Sequence, residues 1–103
     1  MKIIKTLSEM IEEELEGAEH YAKMALAQKD VNPGLARVLN DISHQEMNHV
    51  NLLHGEVVKL IEQHRKEKGE PPAAMLAVYE FLHERHIAKA NIVRVYQNQY
   101  RGE

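Results

Sequence analysis

The sequence, 103 residues long, contains no cysteine, no tryptophan and only one phenylalanine. The lack of cysteine excludes a disulfide framework, a thiolate metal site, a cysteine nucleophile and an iron–sulfur cluster, and it fits an ordinary reducing cytoplasm. No apolar run approaches the roughly 18–20 residues of a membrane span, and the N-terminus has no long apolar segment of the kind found in secretion signals. We therefore expect a cytoplasmic protein with no membrane partner.

Glycine and proline are also scarce, with five and three residues, whereas 44% of the chain is hydrophobic. A packed core is expected, in a single domain covering residues 1–103. Sixteen acidic residues against thirteen lysines and arginines give a net charge of −3. Because no basic block stands out, nucleic acid is not an expected partner. Seven histidines accompany the acids, and these residue types are ligands for hard to borderline metal ions.

Signals for helices dominate the sequence, and signals for strands are nearly absent. Thr6 and Glu9 match a capping box, and good helix formers continue to about Lys29. A short turn follows, in which Asn32 is a suitable N-cap and Pro33 suits the first position of the next helix. We predict an all-α fold with three long helices, at about 7–29, 33–68 and 72–101.

Two glutamates lie on helix faces that should be buried. At about 100° per residue, Glu14 lies in the middle of the apolar stripe of the first helix, and Glu46 in the middle of that of the second. An unpaired buried carboxylate is costly, so each needs a proton, a cation or a metal. The stripe residues are Leu7, Ile11, Ala18, Tyr21 and Ala25 on the first helix, and Leu35, Leu39, Ile42, Val50, Leu53, Val57 and Leu60 on the second.

The same two glutamates should meet in space beside a histidine. If the first two helices fold back antiparallel, Glu14 and His49 both lie about 24 Å from the turn, and Glu46 lies within one helical turn of that level. One helix thus offers a glutamate and its neighbour offers Glu46-x-x-His49, which together form half of a di-metal carboxylate site. We predict Glu14, Glu46 and His49 as metal ligands, while no catalytic residue is indicated.

The spacing of these residues is similar to that of a known family. Glu14-x6-Tyr21, followed by Glu46-x-x-His49, resembles the ferritin-like superfamily and, within it, the rubrerythrin-like branch. In that family the first glutamate and the Glu-x-x-His pair bind metal, and the tyrosine lies near the metals. The resemblance, which covers about residues 7–60, implies a ferritin-like four-helix bundle with a di-iron site and oxidoreductase chemistry.

The chain also departs from the family pattern. Family members commonly carry two such helix pairs, whereas this chain has one pair and one further helix. The resemblance therefore implies a homodimer, or a larger homo-oligomer, in which two copies complete the bundle and the site across a two-fold axis. The cysteine-based rubredoxin module is missing, so the electron donor is not indicated. Gln45, Met47 and Asn48 make the motif's surroundings less acidic than is usual in the family.

The third helix repeats the metal-ligand spacing as Glu80-x-x-His83, with His86 following. Glu80 lies about 160° around the helix from Leu82, a member of the main apolar stripe. A polar flank that contacts a neighbouring subunit is therefore favoured over a second metal site or extra ligands for the first. Four other histidines are predicted to lie on the surface: His20, His44, His54 and His64.

Three functions are compatible with these observations. The first is a homodimeric di-iron protein that oxidises Fe²⁺ or reduces peroxide or O₂, at a site that manganese or zinc would also suit. The second is a non-catalytic helical interaction module, in which Glu14 and Glu46 are core carboxylates that are protonated or paired with a cation of the third helix. The third is a passive metal-binding protein. Metal content separates the second from the others, and oxidation of bound Fe²⁺ separates the first from the third.

Overall fold

A computed structural model describes residues 2–102, which form three α-helices: α1 (Lys2–Gln28), α2 (Pro33–Lys68) and α3 (Ala73–Arg101). The prediction of an all-α fold with three helices is confirmed. The helices lie side by side in a rod of 55 × 19 × 18 Å. Over the described residues, no helix combines the length and the apolar character needed to cross a bilayer.

The first helix starts earlier than the sequence pattern predicts. It begins at Lys2 rather than near Leu7, so the predicted capping box of Thr6 and Glu9 is wrong. Thr6 lies inside the helix, where its hydroxyl donates to the carbonyl of Lys2 at 3.2 Å. The reason is burial: Ile4 is only 1% exposed, and packing of an apolar face stabilises a helix more than local propensity does.

The first two helices form an antiparallel hairpin. Asn32 caps α2, because its side-chain oxygen accepts a hydrogen bond from the N–H of Leu35 at 3.2 Å, and Pro33 occupies the first helical position. At the far end of α2 the chain turns at Gly69, whose φ of +81° favours glycine. The structure thus places the ends of α2 where the sequence pattern puts them.

The third helix packs along α1, runs parallel to it and touches α2 little. Towards its N-terminal half, Arg85 and Lys89 both pair with Glu12, at 2.7 and 3.3 Å. Further along, the Lys23 ammonium lies 5.3 Å from the centre of the Tyr96 ring. This course leaves α3 on one side of the hairpin only.

One chain of buried hydrogen bonds joins all three helices. The side-chain amide of Gln97 donates to the hydroxyl of Ser43 at 3.0 Å, and that hydroxyl donates to the carbonyl of Ala18 at 2.7 Å. Gln97 and Ser43 are both buried. Each polar group therefore has a partner, as buried polar groups require.

The core follows the length of α1, where buried residues recur every three or four positions from Ile4 to Ala25. Its apolar centre is formed by Ile11, Leu15 and Val50. Of the predicted stripe on α2, Leu39 and Val50 are buried, whereas the other members are half-buried or exposed. The reason is that α3 packs mainly on α1 and leaves much of α2 uncovered.

Candidate metal centre

The three predicted ligands come together at one level of the α1–α2 hairpin. Glu14 of α1 and Glu46 and His49 of α2 each offer one ligand atom, and these atoms lie within 4.8 Å of one another. Within the cluster, Nδ1 of His49 lies 3.2 Å from a carboxylate oxygen of Glu14. Within residues 2–102, no other group of three acidic or histidine side chains meets this spacing.

The helix geometry explains the convergence. Glu46 and His49 are one turn apart on α2, so their side chains project from the same face. The antiparallel hairpin brings Glu14 opposite them, as its contact with His49 shows. Two carboxylates and an imidazole form a donor set suited to divalent iron, manganese or zinc.

Gly17 is part of the same site and was not predicted from the sequence. A Cβ atom built on Gly17 would lie 3.4 Å from a carboxylate oxygen of Glu46, in ordinary contact, so the carboxylate lies against this position and a side chain larger than a methyl group would displace it. Glycine in a helix interior costs about 0.5–1 kcal/mol relative to alanine. A glycine inside a predicted helix, one turn after Glu14, was therefore the sequence signal that could have identified this position.

The contact between the carboxyl groups of Glu14 and Glu46 shifts their pKa values in opposite directions. A hydrogen bond with Glu14 raises the pKa of Glu46, and burial and the charge of Glu14 raise it further, although His49 opposes this shift. The same hydrogen bond lowers the pKa of Glu14, assisted by His49 and opposed by burial. As the pH falls, Glu46 therefore takes up a proton before Glu14 does.

The cluster lies at the edge of the helix interface, and not at its centre as the periodicity predicts. The side chains of Glu14 and His49 are 29% and 54% exposed. Around α1, Glu14 is about 160° from Glu12, which is the residue that pairs with α3. The cluster therefore opens on the face of the hairpin opposite α3.

Tyr21 does not join the ligands. Its ring is half-buried and meets His20 edge-on, with the ring centres 6.1 Å apart. Among the described residues it makes no hydrogen bond to Glu14, Glu46 or His49. The position is compatible with packing beside the site.

The histidines of α3 lie away from this cluster, and three sequence predictions about histidines are wrong. His64, which was expected on the surface, is half-buried. His86 is buried rather than part of a polar flank, because α3 turns this face toward α1. His54 is half-buried rather than on the surface, since its ring stacks on that of His83. Glu80 and His83 are exposed and do not add ligands to the Glu14 cluster.

Comparisons of this chain with protein-family models, with curated proteins and with solved structures find no match.

Proposed function

We propose that this chain is one half of a ferritin-like di-metal carboxylate protein. Two copies pair their α1–α2 hairpins into a four-helix bundle, and the completed site binds two iron ions that react with O₂ or peroxide. The observation that carries the proposal is the convergence of Glu14, Glu46 and His49 on the face opposite α3. One chain supplies one glutamate and one Glu-x-x-His pair, and a two-fold partner supplies the other half of the donor set.

The surface around the cluster supports a partner on that face. Large apolar side chains lie on the sides of α1 and α2 toward which the cluster opens, and they are between 39% and 54% exposed: Ile3, Met10, Met24, Leu35 and Val38. Large apolar side chains exposed on one face are a feature of interaction sites. A second copy seated there would bury the half-exposed stripe residues together with the cluster.

Two carboxylates and an imidazole are ligands that suit iron, and manganese and zinc accept the same ligand types. In the completed site, Glu14, Glu46 and His49 of the two chains would together hold the two ions. Bound ferrous iron supplies the electrons that reduce O₂ or peroxide. The protein's own contribution is to fix the donors and, through the apolar side chains around them, to exclude bulk water.

The decisive experiment measures metal content and thermal stability together. Protein purified from iron-supplemented cells should contain metal, and adding metal to the stripped protein at pH 7 should raise its melting temperature, by mass action on the folded state. Glu46→Ala should abolish the iron content and the rise in melting temperature that iron produces. The control is Glu13→Ala, an exposed neighbour of Glu14. If iron, manganese and zinc all leave the melting temperature unchanged, the metal proposal is wrong and the interaction module replaces it.

The oligomeric state and the chemistry are tested separately. Light scattering should give at least a dimer, and a monomer that retains two tightly bound metals would contradict the shared site. Oxidation of bound Fe²⁺ by O₂ or peroxide, followed by absorbance, should be lost in Glu46→Ala. Metal binding without oxidation would leave a passive metal-binding protein.

A further inference from the structure

Three histidines line a second region of the molecule, on a different face of the α1–α2 hairpin from the Glu14 cluster. Because α3 touches α2 little, a cavity of about 500 Å³ opens between the C-terminal half of α2 and the N-terminal half of α3. His54 of α2 and His83 and His86 of α3 line it. Most of the remaining lining is aliphatic, so this concentration of imidazoles is the cavity's main chemical feature.

His86 is the buried member of this group. It is 9% exposed, and its Nε2 atom has no hydrogen-bond partner among the described residues. An unpaired polar atom in a buried position destabilises a fold unless something satisfies it. An imidazole nitrogen that lines a cavity without a protein partner is available to an external ligand.

The other two rings lie against each other at the cavity wall. The centres of the His54 and His83 rings are 5.0 Å apart, and the ring planes are inclined by 19°. Burial lowers the pKa of His54, and the charge of His83 lowers it further. Burial also lowers the pKa of His86, assisted by its histidine and lysine neighbours and opposed by Glu12. The imidazoles of His54 and His86 are therefore biased toward the neutral form, which is the form that binds metal.

We propose that His54, His83 and His86 form a binding site for a borderline divalent transition-metal ion such as Zn²⁺. Imidazole is a preferred ligand of such ions, and three histidine ligands with one open position are an established zinc arrangement. The ligand atoms of these three side chains are not all within 4.8 Å of one another, so binding requires one ring to rotate. His83 is exposed and has the freedom to do so.

Nearby charged groups are compatible with a cation. Arg65 lines the same cavity, but its guanidinium already pairs with Glu62 and Glu70, at 3.3 and 3.2 Å. Glu80, also in the lining, contributes a negative charge. The site is independent of the proposed iron site, because His54 follows His49 by five residues, about 7.5 Å along α2 and on another face.

The test uses a background in which the first site is disabled. Tag-free Glu46→Ala/His49→Ala protein, stripped with chelator, is titrated with Zn²⁺ in a calorimeter. It should bind about one equivalent per chain, and adding His83→Gln should remove that equivalent. Adding His64→Gln should leave it in place. His83 is exposed, so its replacement leaves the fold intact, which circular dichroism verifies.

Imidazole NMR resonances give a second readout that does not depend on substitution. Zn²⁺ should shift the resonances of His54, His83 and His86 and leave those of His20 and His64 unchanged. The proposal is overturned if the background variant takes up no Zn²⁺ at micromolar concentrations. It is equally overturned if the folded His83→Gln variant keeps the full equivalent. Because both arms lack the Glu14 cluster, neither result depends on the iron proposal.

Discussion

At the scale of single side chains, the carboxyl groups of Glu46 and Glu14 change each other's pKa. Their hydrogen bond raises the pKa of Glu46 and lowers that of Glu14. A carboxyl group whose pKa is raised by folding contributes stability at low pH and loses it as the pH rises through the folded value. At neutral pH the metal-free protein therefore bears a cost at Glu46, and a bound cation would remove it.

Replacing Glu46 with glutamine should remove that cost without a metal. Gln is close to Glu in size, is neutral and can still donate a hydrogen bond to Glu14, so Glu46→Gln should unfold at a higher urea concentration than wild type at pH 7. The difference should shrink as the pH falls toward 4, where Glu46 is itself protonated. Glu13→Gln serves as the control. A metal-free Glu46→Gln protein that is less stable than wild type at pH 7 would contradict this account.

Gly17 permits a second test at the same site. Gly17→Ala should raise the free energy of unfolding by about 0.5–1 kcal/mol, because alanine is the better helix former and its Cβ meets Glu46 only in ordinary contact at 3.4 Å. Gly17→Val should displace the Glu46 carboxylate and reduce the metal-induced rise in melting temperature. Gly55 is the matched control, since a Cβ there meets nothing within 4 Å. Equal effects of valine at both positions on metal binding would exclude a role for Gly17.

At the scale of helices, the start of α2 depends on one local interaction. Asn32→Ala removes the acceptor for the N–H of Leu35 and should lower the free energy of unfolding by about 1 kcal/mol, the usual value of an N-cap. The control is Asn51→Ala, an exposed position inside the same helix, where alanine should be neutral or stabilising. Denaturant unfolding of the two variants makes the comparison, and equal loss in both would rule out capping as the cause.

The ends of the helices show what a local pattern can and cannot predict. Asn32 and Pro33 act within one turn of the chain, so the sequence alone predicts where α2 begins. The capping box at Thr6 failed because burial of Ile4 against the rest of the molecule stabilises an earlier turn, and no local signal reports a long-range contact.

The positions of the three candidate ligands were predictable from the sequence, because they too depend on local features of the chain. Periodicity and the position of the turn are enough to bring Glu14, Glu46 and His49 to one level. The burial of His86 and the stacking of His54 on His83 depend on how α3 rotates about its own axis. That rotation is decided by partners on other helices, such as the Ser43 hydroxyl that accepts from Gln97, and the sequence of α3 does not contain it.

For the molecule as a whole, two histidines with lowered pKa values predict how stability depends on pH. The pKa values of His54 and His86 lie below the ordinary value of 6.5, chiefly because of burial. The unfolded chain therefore binds more protons than the folded chain below that pH, so stability should fall as the pH drops from about 7 toward 5. Urea midpoints of the metal-free protein, measured across this window, should show the decline.

Replacing His86 isolates its part in this dependence. Protein with His86→Gln should have a flatter pH profile between pH 5 and 7, whatever its absolute stability, because one of the two contributing groups is gone. His44→Gln, at an exposed position, should keep the wild-type slope. An unchanged slope in the His86 variant would mean that other groups produce the decline.

The hydrogen bonds that link Gln97, Ser43 and Ala18 also decide the register of the helices. The buried face of α1 carries small side chains at Ala18, Ala22 and Ala25, which are fully buried. Small side chains interlock little, so they would allow neighbouring helices to slide. A shift of α3 by one residue would turn Gln97 by about 100° and leave buried polar atoms unpaired. These hydrogen bonds therefore favour a single register of the three helices. Ser43→Ala should therefore leave a helical rod whose helices exchange between alignments, seen as broadened amide resonances around Ala18 and Gln97.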